Sequence, residues 1–247
     1  MEIDWVVLTA TINVHPGVQV ELVDPCQRMR QYERSLTQWC AWASIAGSRV
    51  AIAENSGADL AHIMRNVTIA PGRQPRLISV TPHPQAAMRG KGSLEAQMID
   101  EAINDISPPQ GSILAKCTGR LFVRNLNRAL PKAPCAPFLA LRGTLDRGYV
   151  DSRFLVATSD VWRGDLAGMQ ADVDDMAGYY LEHVLAARAA QAFRTGVVEV
   201  RFDTAPRFIG ISGTTGHDYA GLTSTLRHSA MSPIESLLRH IPRSKQY

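Results

Sequence analysis

Trp5-Val6-Val7-Leu8-Thr9-Ala10-Thr11-Ile12 runs into Asn13-Val14-His15-Pro16-Gly17, and this junction decides the reading of the chain. A short apolar, β-branched run closed by a Pro-Gly turn is a buried strand followed by a loop. Downstream, Asp24-Pro25 has the cap-then-proline order of a first helical turn. Met29, Tyr32, Leu36, Trp39 and Ala43 then recur at helical spacing. Strands are predicted over 49–54, 76–81 and 112–117, and helices over 58–67 and 94–106. Strands alternating with helices in this way are βαβ units of a parallel sheet. The second half reads differently. Segments 138–141 and 150–158 predict strands joined antiparallel through the Gly143–Gly148 turn. A long alanine-rich helix is predicted over 174–193 and a strand over 197–202.

Composition sets the outer bounds. The 247 residues are 45% hydrophobic and 20% charged, which suits a folded chain with a sizeable core and excludes disorder, collagen and coiled coil. No uncharged stretch reaches the about 20 apolar residues of a membrane span. Met1-Glu2-Ile3-Asp4 lacks the basic start of a signal peptide, so a cytoplasmic location is expected. Cys26, Cys40, Cys117 and Cys135 lie far apart and read as buried free thiols rather than a zinc site. A net charge of +3, evenly spread, does not indicate nucleic-acid binding.

In open α/β sheets ligands sit at the carboxyl ends of the parallel strands. Four exits are accordingly informative: Thr9-Ala10-Thr11-Ile12-Asn13, Glu54-Asn55-Ser56-Gly57, Arg89-Gly90-Lys91-Gly92-Ser93-Leu94-Glu95, and Lys116-Cys117-Thr118-Gly119-Arg120. All four are small and polar where a core would be apolar, and together they predict a ligand crevice. Gly90-Lys91-Gly92-Ser93 opens a helix, so its free N–H groups and Lys91 are candidates to hold phosphate. The spacing is not that of a P-loop.

These motifs, in this order, resemble the start of a group of bacterial glycosyltransferases that build surface polysaccharide and lipopolysaccharide. The resemblance is carried by Ala10-Thr11-Ile12-Asn13, Asp24-Pro25 with Arg28, Gln31-Tyr32, Glu54-Asn55-Ser56-Gly57, Gly90-Lys91-Gly92 with Glu95, and Lys116 with Thr118-Gly119-Arg120-Leu121. It covers residues 5 to 125 and continues more loosely through Tyr180-Leu181-Glu182-His183 and 206–213. It implies a single α/β domain similar to the GT-A fold. Residues 1–125 would be a parallel, Rossmann-like nucleotide-sugar-binding half, 126–231 a mixed-sheet acceptor half, and 232–247 a basic amphipathic tail. The base and ribose of the donor would then meet Thr11, Asn13, Glu54 and Asn55. Arg28, Lys91, Gly92, Glu95, Lys116, Thr118, Gly119 and Arg120 complete the donor set. The other reading of Glu54-Asn55 is a strand-end turn with a helix cap.

The chain departs from the family pattern where most GT-A enzymes carry a metal-binding Asp-x-Asp. It has Lys116-Cys117-Thr118-Gly119-Arg120 there, and fixed positive charge can serve the departing phosphate in place of a metal. No metal ligand and no cofactor are therefore expected. Asp172-Val173-Asp174 reads instead as helix capping. Direct displacement needs a carboxylate base for the acceptor hydroxyl, and Asp175 and Glu182 are the candidates, seven residues apart on one helical face. Gly210-Ile211-Ser212-Gly213 misses a serine-hydrolase elbow because Thr214 replaces the last glycine; with His217 this stretch reads as a lid. Ile234, Leu237, Leu238 and Ile241 share one face of the basic tail, which suits either peripheral contact with an anionic membrane or a docked last helix.

The function expected is transfer of a sugar from a nucleotide-sugar donor to a glycan or lipid-linked acceptor, at the inner face of the membrane. Two rivals are a sugar-nucleotide-forming nucleotidyltransferase, which would carry a longer glycine-rich loop after the first strand, and a non-catalytic nucleotide-sugar-binding module.

Overall fold

The structure is a computed structural model that describes residues 1–14, 20–212, 216, 218 and 219. Its strands are β1 (Trp5–Ala10), β2 (Arg49–Glu54), β3 (Arg76–Ser79), β4 (Ile113–Thr118), β5 (Phe122–Val123), β6 (Phe138–Ala140), β7 (Phe154–Thr158), β8 (Val198–Val200) and β9 (Phe208–Ile209). Its helices are α1 (Pro25–Ala46), α2 (Leu60–Met64), α3 (Pro84–Arg89), α4 (Lys91–Ile106), α5 (Leu126–Ala129), α6 (Ser159–Arg163) and α7 (Leu181–Arg194).

Seven strands form one sheet in the order β3-β2-β1-β4-β7-β6-β8. The first four are parallel, β7 turns antiparallel against β4 and β6, and β8 runs parallel to β6. A parallel half and a mixed half therefore meet at the β4–β7 seam. The division is the one the sequence predicts. Because β1 is covered on both faces, Val6, Leu8 and Ala10 pack toward α1 while Val7 packs toward α4. That explains its unbroken apolar run.

α1 starts where Asp24 accepts from the Cys26 N–H (2.8 Å) and ends at Gly47 in the left-handed region. It buries Tyr32, Ser35, Leu36, Trp39 and Ala43 along one side. Trp39 Nε1 and Ser35 Oγ both donate to the Leu121 carbonyl at 2.8 Å, so the buried indole is satisfied and the β4 exit is tied to α1. α4 covers the opposite face with Leu94, Met98, Ile99, Ala102 and Ile103.

The structure corrects several expectations. The helix predicted over 174–193 begins only at Leu181. Before it, Asp174 and Tyr179 exchange backbone hydrogen bonds (both 2.9 Å) around a 3₁₀ turn, and Gly178 at φ +78° makes the reversal. The 58–67 helix shrinks to α2, and the 150–158 strand begins only at Phe154. All four cysteines are free, but Cys26 and Cys135 are exposed; Cys40 and Cys117 alone are buried. Among the described residues no helix is long and apolar enough to cross a membrane. The tail over 232–247 lies outside the described residues.

Candidate functional site

At the carboxyl edge of the parallel half, polar side chains fasten one strand exit to the next. Glu54 is 2% exposed, and its carboxylate accepts from the N–H groups of Ile12 (3.1 Å), Ser56 (2.9 Å) and Ala58 (3.1 Å) and from the Ser56 hydroxyl. A buried carboxylate is tolerated when its lone pairs are met in this way. Arg28 reaches from α1 to donate to the carbonyls of Thr11 (Nε, 2.8 Å) and Leu22 (3.0 Å), and its second terminal nitrogen also meets Thr11. Burial lowers the Arg28 pKa from its usual value, opposed by neighbouring Tyr32. The Thr11 hydroxyl donates to Asn55 Oδ1 (2.7 Å), while Asn13 is exposed and its N–H meets Ser56 Oγ (2.9 Å). The structure thus brings Thr11, Asn13, Arg28, Glu54 and Asn55 together, but commits the charged groups of Arg28 and Glu54 to holding the strand exits.

The start of α4 is also occupied from within. Asp175 Oδ2 accepts the Gly92 N–H at 2.7 Å, so the amide that the sequence offers to phosphate already carries an anion. Both glycines of Gly90-Lys91-Gly92 are needed to seat it. A Cβ on Gly92 would lie 2.7 Å from Asp175 Oδ1, and one on Gly90, itself at φ +110°, would lie 2.8 Å from Asp175 Cβ. Burial raises the Asp175 pKa, against the pull of the Gly92 N–H and Lys91. Asp175 and Glu182 consequently stand on different elements and do not share a helical face. Asp175→Ala should lower stability by about 1–2 kcal/mol, the scale of a lost helix cap. An unchanged urea midpoint would mean that water replaces the carboxylate at no cost.

Lys116 is the centre of the seam. Its side chain is 1% exposed, and Nζ donates to Glu95 Oε1 (2.7 Å) and to the Ser152 carbonyl (2.6 Å). Glu95, in the first turns of α4, also accepts from the Thr9 hydroxyl (3.0 Å). Burial works against ionising Glu95, yet Lys116 beside it holds its carboxyl below the ordinary range. From Ser152 the network continues, because its hydroxyl donates to Glu182 Oε1 at 2.6 Å. A continuous path of charged and polar groups therefore links Thr9 on β1 to Glu182 on α7 across the parallel–antiparallel seam.

Thr118 and Gly119 lie at the same exit. The Gly119 N–H donates to the Thr9 carbonyl (2.9 Å), and any Cβ there would come within 2.6 Å of that oxygen. Arg120 turns toward α1, with Nη1 3.3 Å from both Gln31 Oε1 and the Ile211 carbonyl, while its buried Nε has no partner among the described residues. Sequence reading quoted Thr9 at the first strand exit without giving it a role, and missed Asp151, Ser152 and Arg153. Asp151 and Arg153 form a 2.5 Å ion pair, and the Arg153 guanidinium lies 4.5 Å from the Phe208 ring centre and 5.0 Å from that of Tyr219. The signal was present in Asp151-Ser152-Arg153, three polar residues just before β7, but was absorbed into a strand. Of the lid residues, the Ser212 carbonyl accepts from the Gly216 N–H (3.0 Å), whereas Gly213 and His217 lie outside the described residues.

The donor set at the β4 exit does not fit the divalent metal that the fold family often carries there. A lysine bound to Glu95 occupies the strand end, and among the described residues no three His, Cys, Asp or Glu side chains are placed to hold an ion. Asp172 pairs with Arg188 at 2.5 Å, and Asp174 accepts from the Met176 and Ala177 N–H groups at 3.0 Å. The Asp-x-Asp at 172–174 is therefore structural.

A separate cleft of about 550 Å³ opens between α3, α4 and α6, lined by His83, Arg89, Asp100, Glu101 and Arg163. Burial pushes the Asp100 carboxyl up to about 6, against the Gly168 N–H that it accepts at 2.9 Å. A carboxyl raised in the folded state binds its proton more readily there than in the unfolded chain. Its ionisation costs stability in full above about pH 6, and the cost fades as pH falls toward its ordinary value. Asp100→Asn keeps an oxygen for Gly168, so it should stabilise at neutral pH, by at most about 3 kcal/mol at roughly 1.4 kcal/mol per pH unit. At about pH 4 the gain should vanish; an equal gain at both pH values would exclude titration as its cause.

The mixed seven-stranded sheet, parallel in its first half and accompanied by the small β5–β9 sheet, matches the GT-A fold. Two solved structures share it. The inositol-1-phosphate CTP transferase from T. maritima aligns over 98% of this chain and 99% of its own, with a TM-score of 0.51 and 11% identity. The galactosyltransferase LgtC, solved with donor and acceptor sugar analogs, aligns over 79% of this chain and 73% of its own, with a TM-score of 0.50 and 12% identity. At these identities the likeness is one of fold. No protein-family model and no curated protein matches the sequence.

Proposed function

We propose that the protein is a glycosyltransferase that moves a sugar from a nucleotide-sugar donor to a growing bacterial surface glycan, free or lipid-linked. One observation carries this reading: the path Glu95–Lys116–Ser152–Glu182 joins the strand exit on the nucleotide side to a carboxylate on the acceptor side. In the reaction the bond from the anomeric carbon to the donor phosphate oxygen breaks, and the acceptor oxygen bonds to that carbon. The nucleotide leaves with the electron pair, and the acceptor proton passes to Glu182. Arg120 supplies positive charge to the leaving phosphate, while the Lys116–Glu95 pair behind it fixes the strand exit in place. Thr11, Asn13, Asn55, Thr118 and Gly119 border the space for base and ribose. No divalent metal takes part in this reading, because the carboxylate at the β4 exit, Glu95, is already held by Lys116 and Thr9.

A second reading, nucleotidyl transfer, draws support from the end-to-end fold match to the CTP transferase. The products separate the two. Incubation with UDP-, GDP-, dTDP- and CMP-sugars, followed by mass spectrometry, is expected to show released nucleotide in the presence of EDTA. Pyrophosphate formed from a nucleoside triphosphate and a sugar phosphate would move the assignment to nucleotidyl transfer. Turnover abolished by EDTA and restored by manganese would remove the metal-free part.

A further inference from the structure

Among the described residues, the large aromatic side chains left open to solvent are Tyr149, Tyr179 and Tyr180, at 41%, 44% and 47% exposure. All three pack around one residue, His183. Tyr179 and Tyr180 stack on the imidazole at centroid distances of 5.7 Å, with interplanar angles of 9° and 24°. Tyr149 meets it edge-on at 5.4 Å and 85°. The Tyr180 N–H donates to His183 Nδ1 (3.1 Å), so in the neutral ring the proton sits on Nε2. Rings so fixed lose little freedom on binding, and their open faces and hydroxyl edges form an amphipathic surface.

Two chain segments carry this cluster to the reaction centre proposed above. Tyr179 and Tyr180 lead directly into α7, whose next residues are Leu181, Glu182 and His183. Tyr149 precedes Val150, whose N–H donates to the Glu182 carbonyl (3.1 Å), and Ser152, whose hydroxyl donates to the Glu182 carboxylate. Charge narrows the occupant. Asp151 and Arg153 bind each other and Arg147 reaches Glu199 (3.7 Å), while the Glu182 carboxylate bears on Tyr149 and Asp174 stands beside Tyr179. An anionic sugar, nucleotide or phospholipid is repelled there, whereas a neutral polyol is not. A pyranose has one C–H face to lay on a tyrosine ring and a rim of hydroxyls for the phenols and His183 Nε2–H.

We propose that Tyr149, Tyr179 and Tyr180, assembled around His183, form the acceptor subsite and select a neutral pyranose over an acidic sugar. The inference rests on the transferase reading, and its test is separable from that reading. The probes are methyl β-galactopyranoside, methyl α-glucopyranoside and methyl β-glucuronide, titrated into the full chain labelled with 3-fluorotyrosine and followed by ¹⁹F NMR. Tyr→Phe variants assign the resonances. The neutral glycosides are expected to shift the three cluster resonances saturably, with the glucuronide at least about tenfold weaker. Tyr179→Ala should weaken the neutral glycosides by about tenfold, the upper scale of one aromatic contact, and Tyr179→Phe should bind within about threefold of the parent. No saturable shift, an equal response to the glucuronide, or loss in Tyr179→Phe as large as in Tyr179→Ala would overturn the subsite. Nucleotide release from sugar-nucleotide donors is measured on the same preparation. Release without any glycoside response overturns the subsite alone; a glycoside response without release upholds the sugar site and removes the transferase reading.

Discussion

Lys116→Met should destabilise the protein by about 3–5 kcal/mol, the cost of leaving one partner of a buried ion pair unpaired. Methionine fills a similar volume, so packing changes little. What is lost is the ammonium that binds Glu95 at 2.7 Å and the Ser152 carbonyl at 2.6 Å. Glu95 would keep the Thr9 hydroxyl, which cannot balance a full charge in a site where its side chain is 16% exposed. Adding Glu95→Gln to Lys116→Met removes that stranded charge, and the double variant should recover at least half of the loss. Urea unfolding of the two singles and the double gives the coupling directly. If the single loses under about 1 kcal/mol, or the double loses the sum of the singles, the pair is not the structural centre of the seam. Where Lys116→Met stays folded, transfer should fall by about 10²-fold or more, because the unpaired Glu95 carboxylate then opposes the charge developing on the leaving phosphate.

Glu182→Gln isolates proton transfer from structure. Glutamine retains an oxygen to accept from the Ser152 hydroxyl, now held at 2.6 Å by Glu182 Oε1, so the path from Lys116 stays intact. The amide cannot take a proton from the attacking hydroxyl, and transfer should drop by about 10²-fold or more with an unchanged unfolding midpoint. The rate assay is run alongside Asp175→Asn, because Asp175 is the other carboxylate of this region. Near wild-type transfer in Glu182→Gln combined with a large loss in Asp175→Asn would move the base to Asp175. Near wild-type transfer in both would place the base elsewhere. The structure favours Glu182 because Asp175 already holds the Gly92 amide, whereas Glu182 is linked to the strand exit through Ser152.

Several parts of the protein are legible from local chemistry alone. The β1 run, the Asp24-Pro25 start of α1 and the periodic face of α4 each follow from residues within a turn or two of one another. So does the change from parallel to mixed pairing, since 138–158 lacks the helix that a parallel crossover requires. The sequence also brings out Lys116, Glu95 and Glu182 as candidates, because charge at a strand exit or helix start is unusual enough to notice. It does not say what they touch. Lys116 and Glu95 are 21 residues apart, and Ser152 and Glu182 are 30 apart. Only the sheet register, with Lys116 opposite Leu155 on β7, closes those distances.

The misreadings have the same origin. Asp174 and Asp175 read as the acidic first turn of a helix running into α7, but Gly178 at φ +78° and the Asp174–Tyr179 backbone pair turn the chain instead. That turn carries Asp175 to Gly90-Lys91-Gly92, a contact 83 residues long that replaces the expected phosphate with the chain's own carboxylate. The exposed tyrosines look unremarkable at 149, 179 and 180, and become one cluster only when α7 brings His183 between them. What the sequence by itself determined is the order of strands and helices and which strand exits are polar, because apolar periodicity and caps act within a turn or two. Which charge meets which partner, and whether a polar group is spent on the fold or left for a ligand, was decided by tertiary structure, because burial and hydrogen-bond satisfaction are set by residues that are distant in the chain.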